Sequence, residues 1–329
     1  MMLCIVSCKS QYTLMLEGND IDAKYKMAQE LFEAKKYAKA AEMYESLTPL
    51  TSGLPQDDTV QFYWGLSNYR YGDYITAESN LNQFIGTYPL SPFTEEAKYL
   101  RLDCLYRSTY RYELDQKPTY EALKAMNEFL IEKPDSEYTG SVKSMIDDLN
   151  ERLEMKAYKS AYLYYHMEDY IAAHTALKGV LKDNADNRYR EEILYYTAMS
   201  AYKYAEKSIP SKQKERYLTF VDDYFNIVSE FPECKWRKEL DGLYAKALEN
   251  RERRTYSCKT LEEITAKLAE NGDGFVKAMW CGDPECESKI KELTGVGSRC
   301  IPFEQDNISD KCICCGKEAK QMVYWGKAY

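Results

Sequence analysis

The chain has 329 residues, of which 45% are hydrophobic and 29% charged, with a formal net charge of −9. That is enough chain for two domains with a sizeable core, and the acidic balance argues against nucleic-acid binding as the main task. No run of about 18 apolar residues occurs, so nothing reads as a membrane-spanning helix. Composition changes near residues 240–255. Residues 251–329 hold 13 Lys+Arg and 13 Asp+Glu, so the acidity lies in the first 250; 28 of 31 tyrosines precede that point and 7 of 11 cysteines follow it. The expected organisation is mainly α: a leader over 1–19, a helical repeat domain over 20–245 and a small α/β domain over 246–329.

The amino end reads "MMLCIVSC", an apolar run closed by Cys8 and followed at once by polar "KSQ". It resembles the end of a bacterial lipoprotein signal, in which branched or small residues precede a cysteine that becomes lipid-modified. The usual basic start and most of the apolar stretch are missing, so it reads as a remnant. Cys8 is the expected lipidation site.

From Asp22 to about Leu248 a helical pattern recurs. In "DYITAESNLNQFIGTYPLSPF", Ala77, Leu81, Phe84, Pro89, Ser91 and Phe93 match Ala122, Met126, Phe129, Pro134, Ser136 and Tyr138 in spacing. Phe220, Tyr224, Ile227, Pro232 and Trp236 repeat those intervals, and Ala173, Leu177 and Val180, or Ala40, Tyr44 and Leu47, repeat part of them. A small Ala lets two helices approach, a large apolar residue one turn later fills the groove, and Pro stops the helix. These are the intervals of a tetratricopeptide repeat. Five helical hairpins fit, over about 20–52, 57–92, 94–138, 152–187 and 189–236, and stacking into a superhelix would bury each unit's apolar face.

Most tyrosines fall on these helices as packing residues with hydroxyls reaching the surface. By repeat register, Tyr25, Gln29, Phe32, Phe62, Leu66, Tyr69 and Arg70 are expected on a concave groove for an extended peptide with a terminal carboxylate. His166 and His174 are the only histidines, and with no cysteine or acidic trio converging on them they read as surface or packing residues. No nucleophile–base set or phosphate-cradling loop emerges, so this half reads as a binding scaffold and not an enzyme.

The Cys8 signal, the short polar leader and the repeats ending in "F-x4-P-x-S-x-aromatic" resemble the outer-membrane protein assembly factor BamD family over roughly residues 1–245. That resemblance implies a lipid-anchored protein on the periplasmic face of the outer membrane. Its partners would be the BamA-type barrel-inserting protein, other subunits of the β-barrel assembly machinery and unfolded outer-membrane proteins.

The carboxyl end carries Cys281-x4-Cys286 and Cys312-x2-Cys315, separated by 25 residues. Two close pairs let four thiolates converge on one Zn2+ at about 2.3 Å each, with Gly282 and Gly316 supplying turns. In the crowded "CICC", Cys314 rivals Cys312 or Cys315. Cys300 and Cys258 are left over, and disulfides are the alternative use of the thiols. A zinc ion would contribute on the order of 10 kcal/mol to folding so small a unit.

The stretch "GFVKAMWCGDPECESKIKELTGVGSRCIPF…KCICCGKEAKQMVYWGKAY" resembles the C-terminal zinc-binding domain of archaeal/eukaryote-like prolyl-tRNA synthetases, over roughly 245–329. The resemblance implies a structural zinc on Cys281, Cys286, Cys312 and Cys315, and a terminal Tyr329 that folds back toward a catalytic domain. Aminoacylation needs a class II domain to bind ATP, proline and tRNA, and that machinery is missing from these residues. The scaffold reading therefore leads. The alternative is a synthetase-derived fragment, or a gene-fusion product, whose tail is a structural zinc module without aminoacylation activity.

Overall fold

The structure is a computed structural model that describes residues 10–252, 255–271 and 274–327. It forms two compact units, one through Lys156 and one from Ala157. The first contains α1 (Gln11–Glu17), α2 (Ile21–Glu33), α3 (Tyr37–Thr51), α4 (Asp57–Tyr71), α5 (Tyr74–Thr87), α6 (Thr94–Arg107) and α7 (Lys117–Glu132). Residues of α8 (Thr139–His166) divide between the units. The second continues with α9 (Tyr170–Asp183), α10 (Arg190–Glu206), α11 (Pro210–Glu230) and α12 (Arg237–Glu252). The helices form the expected five hairpins, α2/α3 to α10/α11, in a repeat-like arrangement. Among the described residues, no helix is long and apolar enough to cross a membrane.

The repeat residues act as their chemistry requires. Ala40, Ala77, Ala122 and Ala173 are all fully buried on second helices, with Leu47, Leu81, Met126 and Leu177 beside them. On α4, Gly65 faces Leu81 so closely that a Cβ would sit 2.9 Å from its side chain. The aspartates of the two "DYI" stretches are N-caps: Asp73 accepts from the Thr76 N–H and Asp169 from the Ala172 N–H, each at 3.1 Å. Five residues before the buried alanine of each of three hairpins, Lys35, Gly72 and Glu168 turn the chain through positive φ of 58°, 94° and 62°. Glycine adopts that conformation without strain; the other two pay for a Cβ there.

The "P-x-S-x-aromatic" ending joins successive hairpins. Ser91 Oγ donates to Asp58 of α4, and Ser136 Oγ donates to Glu95 of α6. Two residues on, Phe93 stacks on Phe62 (4.6 Å, 9°) and Tyr138 on Tyr99 (4.3 Å, 9°). In the second unit Tyr189 stacks on Tyr158 (5.5 Å, 17°) and Trp236 on Tyr195 (4.1 Å, 7°). Each aromatic thus returns to the first helix of the hairpin just completed. The fourth hairpin differs from expectation in length, because α8 starts at Thr139 and not near 152. No Pro interrupts 139–166 and its one Gly lies at the second position, so nothing stops the helix earlier.

The second unit also holds β1 (Thr255–Ser257), α13 (Leu261–Asn271), β2 (Phe275–Trp280), α14 (Pro284–Thr294), β3 (Val296–Cys300) and β4 (Gln321–Lys327). The strands form one sheet in the order β1-β2-β4-β3, with β1 parallel to β2 and the other pairs antiparallel. Val276, Ala278, Val323 and Trp325 on one face pack with Ile264 and Leu268 of α13 and Ile290 of α14. This core shares no residue with that of α10–α12.

Candidate functional site

The sheet positions the thiols. Cys281 follows the last residue of β2, and Gly282 beyond it turns with φ +86°. Asp283 caps α14, its side chain accepting from the Glu285 N–H at 2.9 Å, and this sets Cys286 in the first helical turn. Opposite lies a tight turn over 312–316, closed by Gly316 N–H to the Cys312 carbonyl (3.0 Å) and Cys312 N–H to the Lys317 carbonyl (2.7 Å). Gly316 has φ +71°. Two further bonds, Ile313 N–H to Met279 O and Lys320 N–H to Trp280 O, tie this turn to β2.

The Sγ atoms of Cys281, Cys286, Cys312 and Cys315 lie within 4.8 Å of one another. Cys281 and Cys315 are 3.7 Å apart, far beyond a disulfide at about 2.05 Å. A tetrahedron of roughly 2.3 Å zinc–sulfur bonds has edges of about 3.8 Å, so this donor set fits a metal that thiolates bind. Three of the four are buried and Cys315 is exposed. Burial pushes the Cys281 and Cys286 thiols up, whereas the Lys317 backbone N–H draws Cys315 down to about 7. Cys314 is half-buried against the cluster but outside the converging four, Cys258 is buried in the sheet's core, and Cys300 is exposed on β3.

Two of the seven expected groove residues are buried. Phe62 is 2% exposed and Leu66 7%. Both are core residues, a correction to the groove expectation, because the stacking of Phe93 and the packing of α5 cover that side of α4. Phe32 is half-buried against Tyr37 and Tyr63, and Tyr25 lies edge-on to Tyr44. Tyr69 donates its hydroxyl to Asp103 at 2.7 Å, where the Arg107 guanidinium also binds. Only Gln29 and Arg70 of the seven are exposed. Cys8 and Tyr329 lie outside the described residues.

Sequence reasoning missed what many tyrosines do. Tyr69 to Asp103 and Tyr106 to Asp148 (2.9 Å) each link one hairpin's first helix to the next first helix, and Tyr195 to Glu239 (3.0 Å) links α10 to α12. The signal was a tyrosine followed by an acid one repeat later. His174 was read as a surface or packing residue; its Nε2 meets the buried Asp223 of α11 at 2.7 Å, and Lys178 lies 2.8 Å from the other oxygen.

Among known proteins, the family model for YfiO, described as outer membrane lipoprotein, matches residues 18–217. The chain belongs to this family. The YfiO match spans α2 to the first turns of α11, the part built of hairpins. A second model, for the C-terminal domain of prolyl-tRNA synthetase, matches residues 261–329.

Beyond the YfiO region the chain is similar to proline–tRNA ligase of Clostridium novyi, 56% identical over 101 residues, 30% of this chain and 21% of that protein. It is also similar to proline–tRNA ligase 2 of Bacillus thuringiensis subsp. konkukian, 57% identical over 89 residues, 27% of this chain and 18% of that protein. The chain therefore spans about a fifth of the length of these curated relatives. The match falls on their C-terminal domain and not on a catalytic domain. Prolyl-tRNA synthetase of Cryptosporidium parvum with proline and AMP is a solved structure with 29% identity over 31% of this chain and 22% of that one, at a TM-score of 0.27.

Proposed function

We propose that this YfiO-family chain is a BamD-like scaffold of the outer-membrane β-barrel assembly machinery, anchored by lipid on Cys8 at the periplasmic face. Its repeats would hold a BamA-type barrel-inserting protein and receive unfolded outer-membrane proteins. The observation that carries this reading is the family match over 18–217, on hairpins whose recurring second-helix alanines are fully buried. Purification of the tagged chain from membranes should bring down a BamA-type protein. Recovery from membranes without any barrel-inserting protein would sink the proposal.

We take the domain limits to be 20–245 for the repeats and 246–329 for the tail. Cys281, Cys286, Cys312 and Cys315 would hold one Zn2+, which neutralises converging thiolates and ties β2, α14 and the 312–316 turn together. That role is structural. The tail alone would not charge tRNA, and prolyl-tRNA formation by the purified chain would overturn this. The tail's identity to proline–tRNA ligases favours one further reading, a product of gene fusion between a scaffold and a synthetase end.

A further inference from the structure

We infer that Cys314 is a reserve ligand of the metal site, taking the place of Cys315 when that sulfur is lost or displaced, so that four thiolates stay on the ion. The inference rests on the zinc reading proposed above and adds to it a fifth residue, one that stands outside the converging four.

The four converging thiols are not equally sheltered. Cys281, Cys286 and Cys312 are 8%, 5% and 3% exposed, whereas Cys315 is open to solvent. Cys315 is therefore the sulfur that a chelator or a thiol-modifying reagent reaches first. Cys314 is its neighbour in the chain and lies half-buried against the cluster of Cys281, Cys286 and Cys312. Its thiol interacts with that of Cys286. Cys258 is held in the sheet's core and Cys300 is exposed on β3. Among the described residues, Cys314 is thus the one spare thiol that touches the cluster.

The turn confines the exchange to Cys315. Ile313 anchors it, with a side chain 8% exposed in the sheet's core and an N–H on the Met279 carbonyl. Cys314 and Cys315 follow that anchor, and the turn closes at Gly316, where a φ of +71° reverses the backbone. Re-aiming residues 314–315 between these two ends brings one sulfur in as the other goes out. Adjacent side chains leave the backbone in different directions, and in the folded turn Cys315 converges while Cys314 does not. The two therefore do not serve one ion together, and Cys314 does not replace Cys281, Cys286 or Cys312 while Cys315 is bound. Zn2+ has no d-electron preference among tetrahedral donors of one kind, so either sulfur satisfies it.

The test loads the purified, reduced full chain with one equivalent of Co2+, whose sulfur-to-metal charge-transfer absorption grows with the number of bound thiolates, and reads zinc content in parallel. The parent, Cys314→Ser and Cys315→Ser should each hold one metal with equal charge-transfer intensity. Cys314→Ser with Cys315→Ser should lose about a quarter of that intensity, since three thiolates remain of four, and should release zinc to a chelator faster. Cys286→Ser should lose its zinc although Cys314 is intact. Serine is close to cysteine in size and positions 314 and 315 are half-buried and exposed, so a change in absorption reports ligation. Cys315→Ser weakened as much as the double variant would overturn the inference and leave the zinc site standing. So would a weakened Cys314→Ser, which makes Cys314 an ordinary ligand, or a double variant at full intensity, which brings in another thiol. Zinc retained by Cys286→Ser would overturn the pairing of Cys314 with Cys315. A parent that binds no metal would remove the zinc reading itself, and this inference with it.

Discussion

Replacing Phe62 and Phe93 singly and together tests whether the aromatic after each turn fastens its hairpin to the first helix. Phe62 is 2% exposed, so Phe62→Ala should cost about 3–5 kcal/mol from lost burial and a residual cavity. Phe93 is half-buried and Phe93→Ala should cost about 2 kcal/mol. The rings stack at 4.6 Å with 9° between planes, and such a pair is worth about 0.5–1.5 kcal/mol beyond its buried area. Each single variant removes that same stacking term. The double variant should therefore cost less than the sum of the singles by roughly 1 kcal/mol. Urea unfolding followed by circular dichroism reads the differences, compared between variants because a chain of several units need not unfold in one step. Phe62→Ala combined with Leu149→Ala, from a separate cluster, should be additive to within about 0.5 kcal/mol. If the Phe62 and Phe93 costs simply add, the stack fastens nothing.

Asp57 gives a pH-dependent prediction. Burial raises its carboxyl pKa, but donation from Tyr88, Gln61, the Gly53 N–H and Thr51 outweighs this and leaves it below the usual value. A depressed folded value contributes stability above the unfolded pKa and loses it as pH falls through the folded one. Asp57→Asn should thus cost about 1–3 kcal/mol near neutrality, and the gap to the parent should narrow in acid below about pH 4; a gap that widens there would reverse the sign of the argument. Lys35→Gly, at φ 58°, should raise stability by roughly 0.5 kcal/mol as relief of strain outweighs added chain entropy, read from the thermal midpoint. Purified chain should contain one zinc by elemental analysis, lost in Cys286→Ser, and chelation should unfold the tail while helical ellipticity persists; trapped disulfides with no metal would reject the site.

The hairpins were legible because their signal repeats. Ala77, Leu81 and Phe84 recur as Ala122, Met126 and Phe129, and every one of the six is buried. The turn and motif residues were legible only as spacing; that Asp73 caps a helix or Ser91 reaches Asp58 needed the backbone. Phe62 and Leu66 fell outside the expected groove because register alone does not tell which side of α4 packs against α5, where both lie. Spacing also narrowed the thiols without choosing among Cys312, Cys314 and Cys315. The 312–316 turn aims the first and last at Cys281 and Cys286 and leaves Cys314 beside the cluster.

The most direct test of a lipid-anchored scaffold with a synthetase-like tail is the intact mass of the native protein extracted from membranes. The account predicts a single chain that carries both the repeats and the thiol cluster and bears an acylated cysteine at position 8. A mass lacking lipid, or a chain that stops short of the thiol cluster, would contradict it.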